Sequence, residues 1–207
     1  MSIFYHQLLS GYVQICLTKP VNMNRKKFLL QSLLAAPALA FANSVDAEKE
    51  SGSAKKPFIV DANKSRYGDS IKFLGVHPND LKISGKDTGG QLSVFEYTGL
   101  DKVGPMLHVH FKQDEIFTVT EGSYRFVVGD ETHVLQQGQT IFLPRGIPHT
   151  WIQLSEKGKM IYFLQPAGKM EEFFVYMNSL KERPSPEELD RIHAHHQMKV
   201  VGPPLTL

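Results

Sequence analysis

Ten short runs of apolar or alternating residues, separated by turn residues, follow one another through the middle of this chain. Gly122, Gly138 and Gly146 fall in or beside the gaps, where tight reversals are needed. Short strands with a turn signal about every ten residues indicate a β-sandwich or β-barrel, so the sequence predicts an all-β fold. The runs cover residues 58–60, 71–74, 91–97, 106–111, 115–120, 123–128, 132–135, 140–143, 149–154 and 160–164.

The pattern changes to helical spacing after the last of these runs. Residues 170–177 carry apolar side chains at helical intervals, and Ser185 is an N-cap followed by a proline and two glutamates. These signals predict two helices. We expect one domain at residues 57–207, with a barrel at about 57–166 and a helical tail at about 167–207.

The first part of the chain has the layout of an exported protein. A basic head begins at Met23, and an apolar run occupies residues 28–42, which together predict a signal peptide at 23–42. The run has about 15 residues, against about 20 for a helix that crosses a bilayer, so no stable membrane span is expected. Residues 1–22 are interpreted as an upstream extension and residues 43–56 as a polar linker. The predicted location is the periplasm or the medium.

Composition limits the partners and the chemistry. The net charge of +2 comes from 23 basic and 21 acidic residues with no basic stripe, so nucleic acid is not an expected partner. Cys16 is the only cysteine, which rules out an internal disulfide and a thiolate metal site. Any metal must be bound by histidine and carboxylate.

Two histidines and a glutamate have spacings that bring them together. His108 and His110 share one face of a strand because side chains repeat at every second residue. A turn then leads to a strand on which Glu115 and Phe117 share a face. Two imidazoles and one carboxylate form a set of ligands suited to Fe, Mn, Co, Ni or Zn.

A third histidine follows a second glycine-containing turn. A strand ends at Pro144, Gly146 permits the reversal, and His149 stands near the start of the next strand. That strand could bring His149 to the same barrel interior.

These two segments resemble the two motifs of the cupin family. The first motif, G-x5-H-x-H-x3,4-E-x6-G, matches from His108 to Gly122, but Gly104 has three residues rather than five between it and His108. The second, G-x5-P-x-G-x2-H-x3-N, matches from Gly138 to His149, with Gln153 in place of the asparagine. Neither departure changes a ligand.

The resemblance implies a single jelly-roll β-barrel that binds one divalent transition metal ion. It implies that the metal ligands are His108, His110, Glu115 and His149. It also implies a homodimer formed through outer strands. The tail at residues 170–207 is similar to that of single-domain cupins like quercetin 2,3-dioxygenase, which suggests a small aromatic or enol substrate.

Other candidate residues are weaker. Phe117 and Trp151 fall on the ligand-bearing faces and are expected to contact a flat substrate, although aromatic residues in strands are more often core. Five other histidines of the predicted domain are interpreted as solvated, and the three on the predicted last helix cannot all share one face. They are His77, His133, His193, His195 and His196.

Three functions remain open for such a site. The first is a metal-dependent dioxygenase in which Glu115 serves as ligand, as base, or as both in turn. The second is a non-enzymatic sensor or small-ligand-binding module, and the third is a metal-dependent isomerase. The fold alone does not choose among them, because one scaffold supports many functions.

Overall fold

The structure is a computed structural model that describes residues 56–68 and 70–207. The predicted extension and signal peptide, and the predicted linker except Lys56, lie outside these residues. From residue 71 onward the chain is a series of strands and helices joined by short turns. They are β1 (Ile71–Phe73), β2 (His77–Ile83), α1 (Gly85–Thr88), β3 (Ser93–Gly99), β4 (Met106–His110), β5 (Asp114–Glu121), β6 (Ser123–Val128), β7 (Glu131–Gln136), β8 (Thr140–Leu143), β9 (His149–Gln153), β10 (Gly158–Gln165), α2 (Met170–Ser179), α3 (Pro186–His195) and β11 (Met198–Pro204).

The strands form two antiparallel sheets whose apolar faces pack together. The six-stranded sheet has the order β1-β2-β3-β10-β5-β8, and the five-stranded sheet has the order β11-β4-β9-β6-β7. Consecutive strands pass between the sheets, as β8, β9 and β10 do, which is the arrangement of a jelly-roll barrel. The predicted all-β fold with C-terminal helices is confirmed.

Aromatic side chains from both sheets fill the barrel. Tyr97 of the six-stranded sheet meets Trp151 of the other with ring centroids 5.0 Å apart, and Phe117 meets Phe126 at 5.5 Å. Each of these four side chains is at most 5% exposed. Alternation along the strands produces this core, because every second residue points inward.

Two strands, β2 and β11, coincide with none of the predicted runs, and one predicted run does not form a strand. Residues 58–60 lie outside the strands, and Ile59 is 91% exposed. β2 has a polar sequence, and β11 contains glycine and proline, so their strand conformation depends on pairing with β3 and β4.

Three histidines interpreted as solvated are buried. His77 lies inside the barrel near Phe73 and Tyr97, and its Nδ1 accepts a hydrogen bond from the Leu100 amide. His193 and His196 pack against Phe173 between α2 and α3. The interpretation was wrong because neither helical spacing nor the polar sequence of β2 shows which faces the rest of the fold covers.

The two tail helices differ in whether a side chain caps their N-terminus. α3 begins as predicted, with the Ser185 hydroxyl accepting a hydrogen bond from the Glu188 amide at 3.2 Å. α2 has no side-chain N-cap bond. Over the part of the chain that the structure describes, no helix has both the length and the apolar character needed to cross a membrane.

Candidate metal centre

β4 directs two imidazoles into the barrel. His108 and His110 are two residues apart and face inward, with ring centroids 5.0 Å apart. His108 is paired directly with His149 on β9, which brings a third imidazole beside the first two. The His108 and His149 rings are 4.7 Å apart.

The turn after β4 brings Glu115 to the same place from the opposite sheet. Glu115 faces inward on β5 and is 5% exposed. Its neighbour Asp114 points away and binds Arg145 through the Arg145 backbone amide at 2.8 Å, Nε at 2.9 Å and Nη2 at 2.6 Å. This ion pair ties the start of β5 to the loop that precedes His149, and so fixes the glutamate relative to the third histidine.

Gly146 makes the reversal that positions His149. Its φ is +81°, in the left-handed region that favours glycine. Its amide donates to the His110 carbonyl at 2.8 Å, which holds the loop against the end of β4. The backbone of one ligand strand therefore supports the loop that delivers the next ligand.

The structure brings the four predicted ligand side chains together. Their candidate ligand atoms all lie within 4.8 Å of one another. His149 Nε2 is 3.0 Å from Glu115 Oε2, and His110 Nε2 is 3.7 Å from Glu115 Oε1. Metal–ligand bonds of about 2.1 Å place ligand atoms roughly 3.0 to 3.7 Å apart at right or moderately wider angles. The two measured distances fit that range.

Hydrogen bonds leave the right nitrogens free for a metal. Nδ1 of His108 lies 2.8 Å from the Met106 carbonyl, and Nδ1 of His149 lies 3.1 Å from the Ile147 carbonyl. A carbonyl only accepts, so each Nδ1 carries the proton and each neutral ring has its lone pair on Nε2. Both nitrogens of His110 are buried without a hydrogen-bond partner in the described residues. Such an unsatisfied imidazole is expected where a metal supplies the missing contact.

The charge states also suit a metal. Burial lowers the pKa of His108 to about 3, and burial lowers the pKa of His110 as well. Burial acts to raise the pKa of Glu115, but His110 and His149 outweigh it and lower that pKa to about 2. At neutral pH the Glu115 carboxylate is therefore ionised and the imidazoles of His108 and His110 are neutral, which are the forms that bind metal ions.

Phe117 and Trp151 form part of the barrel interior next to the four donors. Phe117 stacks on Tyr162 at 4.9 Å, and Trp151 lies 5.7 Å from Tyr124 and 5.8 Å from Phe73. The structure therefore places both in the core, at 4% and 5% exposure. Their contact with a substrate stays a prediction.

Two buried polar residues near the centre, Gln113 and Tyr162, are not among the predicted ligands. Gln113 is 1% exposed, it acts to raise the pKa of His110, and its Oε1 lacks a hydrogen-bond partner in the described chain. Burial raises the pKa of Tyr162 well above its usual value, with a further contribution from the Glu115 charge, and its hydroxyl donates to Asn79 Oδ1 at 2.9 Å. No spacing signal could have found them, because turn glutamines and strand tyrosines are common and their burial is a tertiary property.

The two departures from the motifs have structural roles. A Cβ at Gly104 would overlap the Trp151 carbonyl, so only glycine fits where this segment crosses β9. Gln153 accepts from the Tyr124 hydroxyl at 3.2 Å and donates to the Ser155 carbonyl at 3.0 Å. Both residues hold β9 in place without contributing a ligand.

Comparisons with solved structures found proteins of similar fold and distant sequence. KdgF from a Halomonas species is 16% identical with a TM-score of 0.46, covering 54% of this chain and 94% of that one. An RmlC-like cupin from Shewanella frigidimarina is 15% identical with a TM-score of 0.47, covering 56% and 96%. A sugar phosphate isomerase of the cupin superfamily from Silicibacter pomeroyi is 21% identical with a TM-score of 0.37, covering 42% and 59%. A search of curated proteins found no match.

A family model gives the more direct assignment. Residues 99–164 match the model described as a cupin domain. That segment contains both motifs and every candidate ligand, from β4 to β10. Residues 99–164 are therefore assigned as a cupin domain, and the strands of this segment lie in the two sheets of the barrel.

Proposed function

We propose that this cupin binds one divalent transition metal ion through His108, His110, Glu115 and His149, and is a dioxygenase-like enzyme for a small aromatic or enol substrate. The observation that carries the proposal is the convergence of three imidazoles and one carboxylate inside the barrel, with the nitrogen lone pairs available. Four protein ligands leave one or two positions open on a five- or six-coordinate ion.

The protein's own contribution is to hold the donors and exclude water. Side-chain exposure is 0% for His110, 1% for His149 and 6% for Glu115, so bulk water has little access to these three donors. When bound, the ion would supply a Lewis acid that polarises an enol or phenol oxygen of the substrate. Glu115 is the carboxylate placed to bind there or to take up the substrate's proton.

The aromatic interior supports a flat substrate. Phe117 follows Glu115 by two residues and Trp151 follows His149 by two, so each belongs to the interior layer adjoining the donors. A planar ring held against these side chains would present its oxygen to the metal. This arrangement supports a planar aromatic or enol compound as the substrate.

Enclosure of the donors favours a second candidate function. The barrel interior beside the centre is filled by packed aromatic rings, which leaves a bulky substrate little room unless side chains move. A binding or sensor module needs no such movement. The two functions differ in whether dioxygen is consumed.

Oxygen uptake separates the two candidates. The chain loaded with iron, manganese, cobalt or nickel should consume dioxygen with at least one member of a panel of flavonols, catechols and diketones. Glu115→Gln should lower turnover more than it weakens substrate binding, because a lost proton acceptor acts on the transition state. Glu131→Gln is the matched control, since that carboxylate is 78% exposed on β7. A flat oxygen trace with every metal, together with a ligand-induced thermal shift, would favour the binding module over the oxygenase.

A further inference from the structure

We propose a second divalent metal site on the helical tail, formed by Glu172 of α2 with His195 and His196 at the end of α3. The three candidate ligand atoms lie within 4.8 Å of one another. Glu172 Oε1 is 3.3 Å from His195 Nε2 and 3.9 Å from His196 Nε2. None of these residues belongs to the barrel centre, so this site does not depend on the function proposed above.

The strongest evidence is the state of the His196 imidazole. Its Nδ1 lies 2.7 Å from the Ile192 carbonyl, which can only accept, so the proton is on Nδ1. Its Nε2 therefore carries a lone pair, yet that atom is buried and has no hydrogen-bond partner in residues 56–68 and 70–207. A metal-binding histidine shows this same combination, with one nitrogen donating to a carbonyl and the other free.

The surroundings hold His196 in this orientation. The Phe173 ring lies 5.4 Å from the imidazole and the Tyr176 ring lies 6.5 Å from it, while the imidazole side chain is 4% exposed. Because packing already fixes the ring, little conformational entropy remains to be lost on binding. The free nitrogen faces the carboxylate that completes the cluster.

The other two ligands are open to solvent. Side chains of Glu172 and His195 are each 59% exposed, so an ion can enter and keep water in its remaining positions. His195 is also the last residue of α3, where the partial negative charge of the helix C-terminus favours a cation. Two imidazoles and one carboxylate suit Zn²⁺ with one open position.

One nearby cation opposes the site and provides a test. Lys169 Nζ lies 3.4 Å from His195 Nε2. Its long side chain can rotate away, but its positive charge repels an incoming divalent ion. Lys169→Ala should therefore raise the affinity for Zn²⁺.

A bound ion would join the two helices of the tail close to the last strand of the barrel. It would link α2 to α3 two residues before β11 begins, and β11 pairs with the strand that carries His108 and His110. The site therefore joins α2 and α3 immediately before the strand that pairs with β4.

Equilibrium dialysis of the tag-free full chain against Zn²⁺, followed by elemental mass spectrometry, tests the proposal. Glu172→Gln and His195→Ala should each lower the affinity of one zinc equivalent at least about tenfold, since even outer partners of ligands contribute that much. Both substitutions are at exposed positions, so the fold should be retained.

Two controls make the result specific. His133→Ala should leave zinc binding unchanged, because His133 and Glu131 form a pair at 3.2 Å on β7 that has no third ligand among the residues that the structure describes. His149→Ala should leave the equivalent that depends on Glu172 in place. Zinc content that is unaffected by Glu172→Gln and His195→Ala, or equally reduced by His133→Ala, would overturn the proposal.

Discussion

Histidines in this protein differ in what their Nδ1 atom contacts, and that contact determines their chemistry. Nδ1 of His108 and of His149 faces the carbonyl two residues earlier, and Nδ1 of His196 faces the carbonyl four residues earlier on its helix. In the neutral form of each ring the proton is therefore on Nδ1, and Nε2 carries the lone pair that can bind a metal. His77 is the opposite case, since its Nδ1 accepts the Leu100 amide and is no longer available to a metal.

Removing one imidazole from the barrel centre should lower its metal content sharply. His108→Ala and His149→Ala each remove one of four ligands. The affinity for the metal should therefore fall at least about tenfold, since even outer partners of ligands contribute that much. The measurement is elemental mass spectrometry after loading with one equivalent of metal and gel filtration. His133→Ala serves as the control because that side chain is 42% exposed on β7. Equal occupancy in His108→Ala and the unsubstituted chain would refute the ligand assignment.

At the scale of elements, the sequence predicted the strands that form apolar or alternating runs between turn signals and missed β2 and β11, which do not. β6 coincides with a predicted run because inward and outward positions alternate along it. β8 coincides with one because turn residues bound its short apolar run. β2 places His77 and Asn79 at buried positions beside Leu81, so only one of these three inward residues is apolar. Its strand conformation comes from pairing with β1 and β3, which a single-sequence pattern does not contain.

The same distinction applies to the candidate centre. His108, His110, Glu115 and His149 follow from spacing, because strand periodicity aligns the two histidines of β4 and the turns after β4 and β8 return Glu115 and His149. The Asp114–Arg145 ion pair that fixes the loop joins residues 31 positions apart, and nothing local indicates it. The burial of Gln113 is likewise set by the tail, where its Nε2 donates to Gln197 Oε1 at 3.4 Å.

Asp87 of α1 illustrates how a short element depends on one charge. Its carboxylate accepts from the Ser84 amide at 3.0 Å, from Arg66 at 3.1 and 3.2 Å, and from the Tyr67 hydroxyl at 3.1 Å. Burial acts to raise the pKa of Asp87, but these hydrogen bonds outweigh it and lower that pKa. A lowered folded-state pKa means that the ionised group stabilises the fold above its unfolded pKa and stops doing so as the pH falls through the folded value.

Asp87→Asn should therefore lower the free energy of unfolding at pH 7 by about 1 kcal/mol. The difference from the unsubstituted chain should shrink as the pH falls below about 4, where the unfolded carboxyl protonates. Urea unfolding at pH 7 and pH 3 measures both. Asp130→Asn is the matched control, because Asp130 is exposed in the turn between β6 and β7. A difference that stays the same at both pH values would contradict the assigned role of the charge.

Considered as a whole, the molecule has two independent connections between its sheets. One is the aromatic core, in which Phe95, Tyr124, Phe126 and Leu143 are each 0% exposed. The other is the candidate centre, to which the six-stranded sheet contributes Glu115 and the five-stranded sheet contributes all three histidines. A metal there would cross-link the sheets at one position, while the core joins them over the rest of the interior.

Metal removal should therefore destabilise the barrel without unfolding it. A ligand at about 100 times its Kd stabilises the folded state by about 2.7 kcal/mol, which for a domain of this size corresponds to roughly 5 to 10 °C in Tm. Treatment with a chelator should lower the Tm by that order, and the near-ultraviolet circular dichroism of the packed aromatic rings should persist, because the core side chains contact one another rather than the metal. The part of the shift that belongs to the barrel centre should vanish in His149→Ala, whose Tm with and without metal should differ only by the contribution of the tail site. Loss of the aromatic signal on chelation would show instead that the core cannot hold the two sheets together alone, and that folding of this barrel requires the metal.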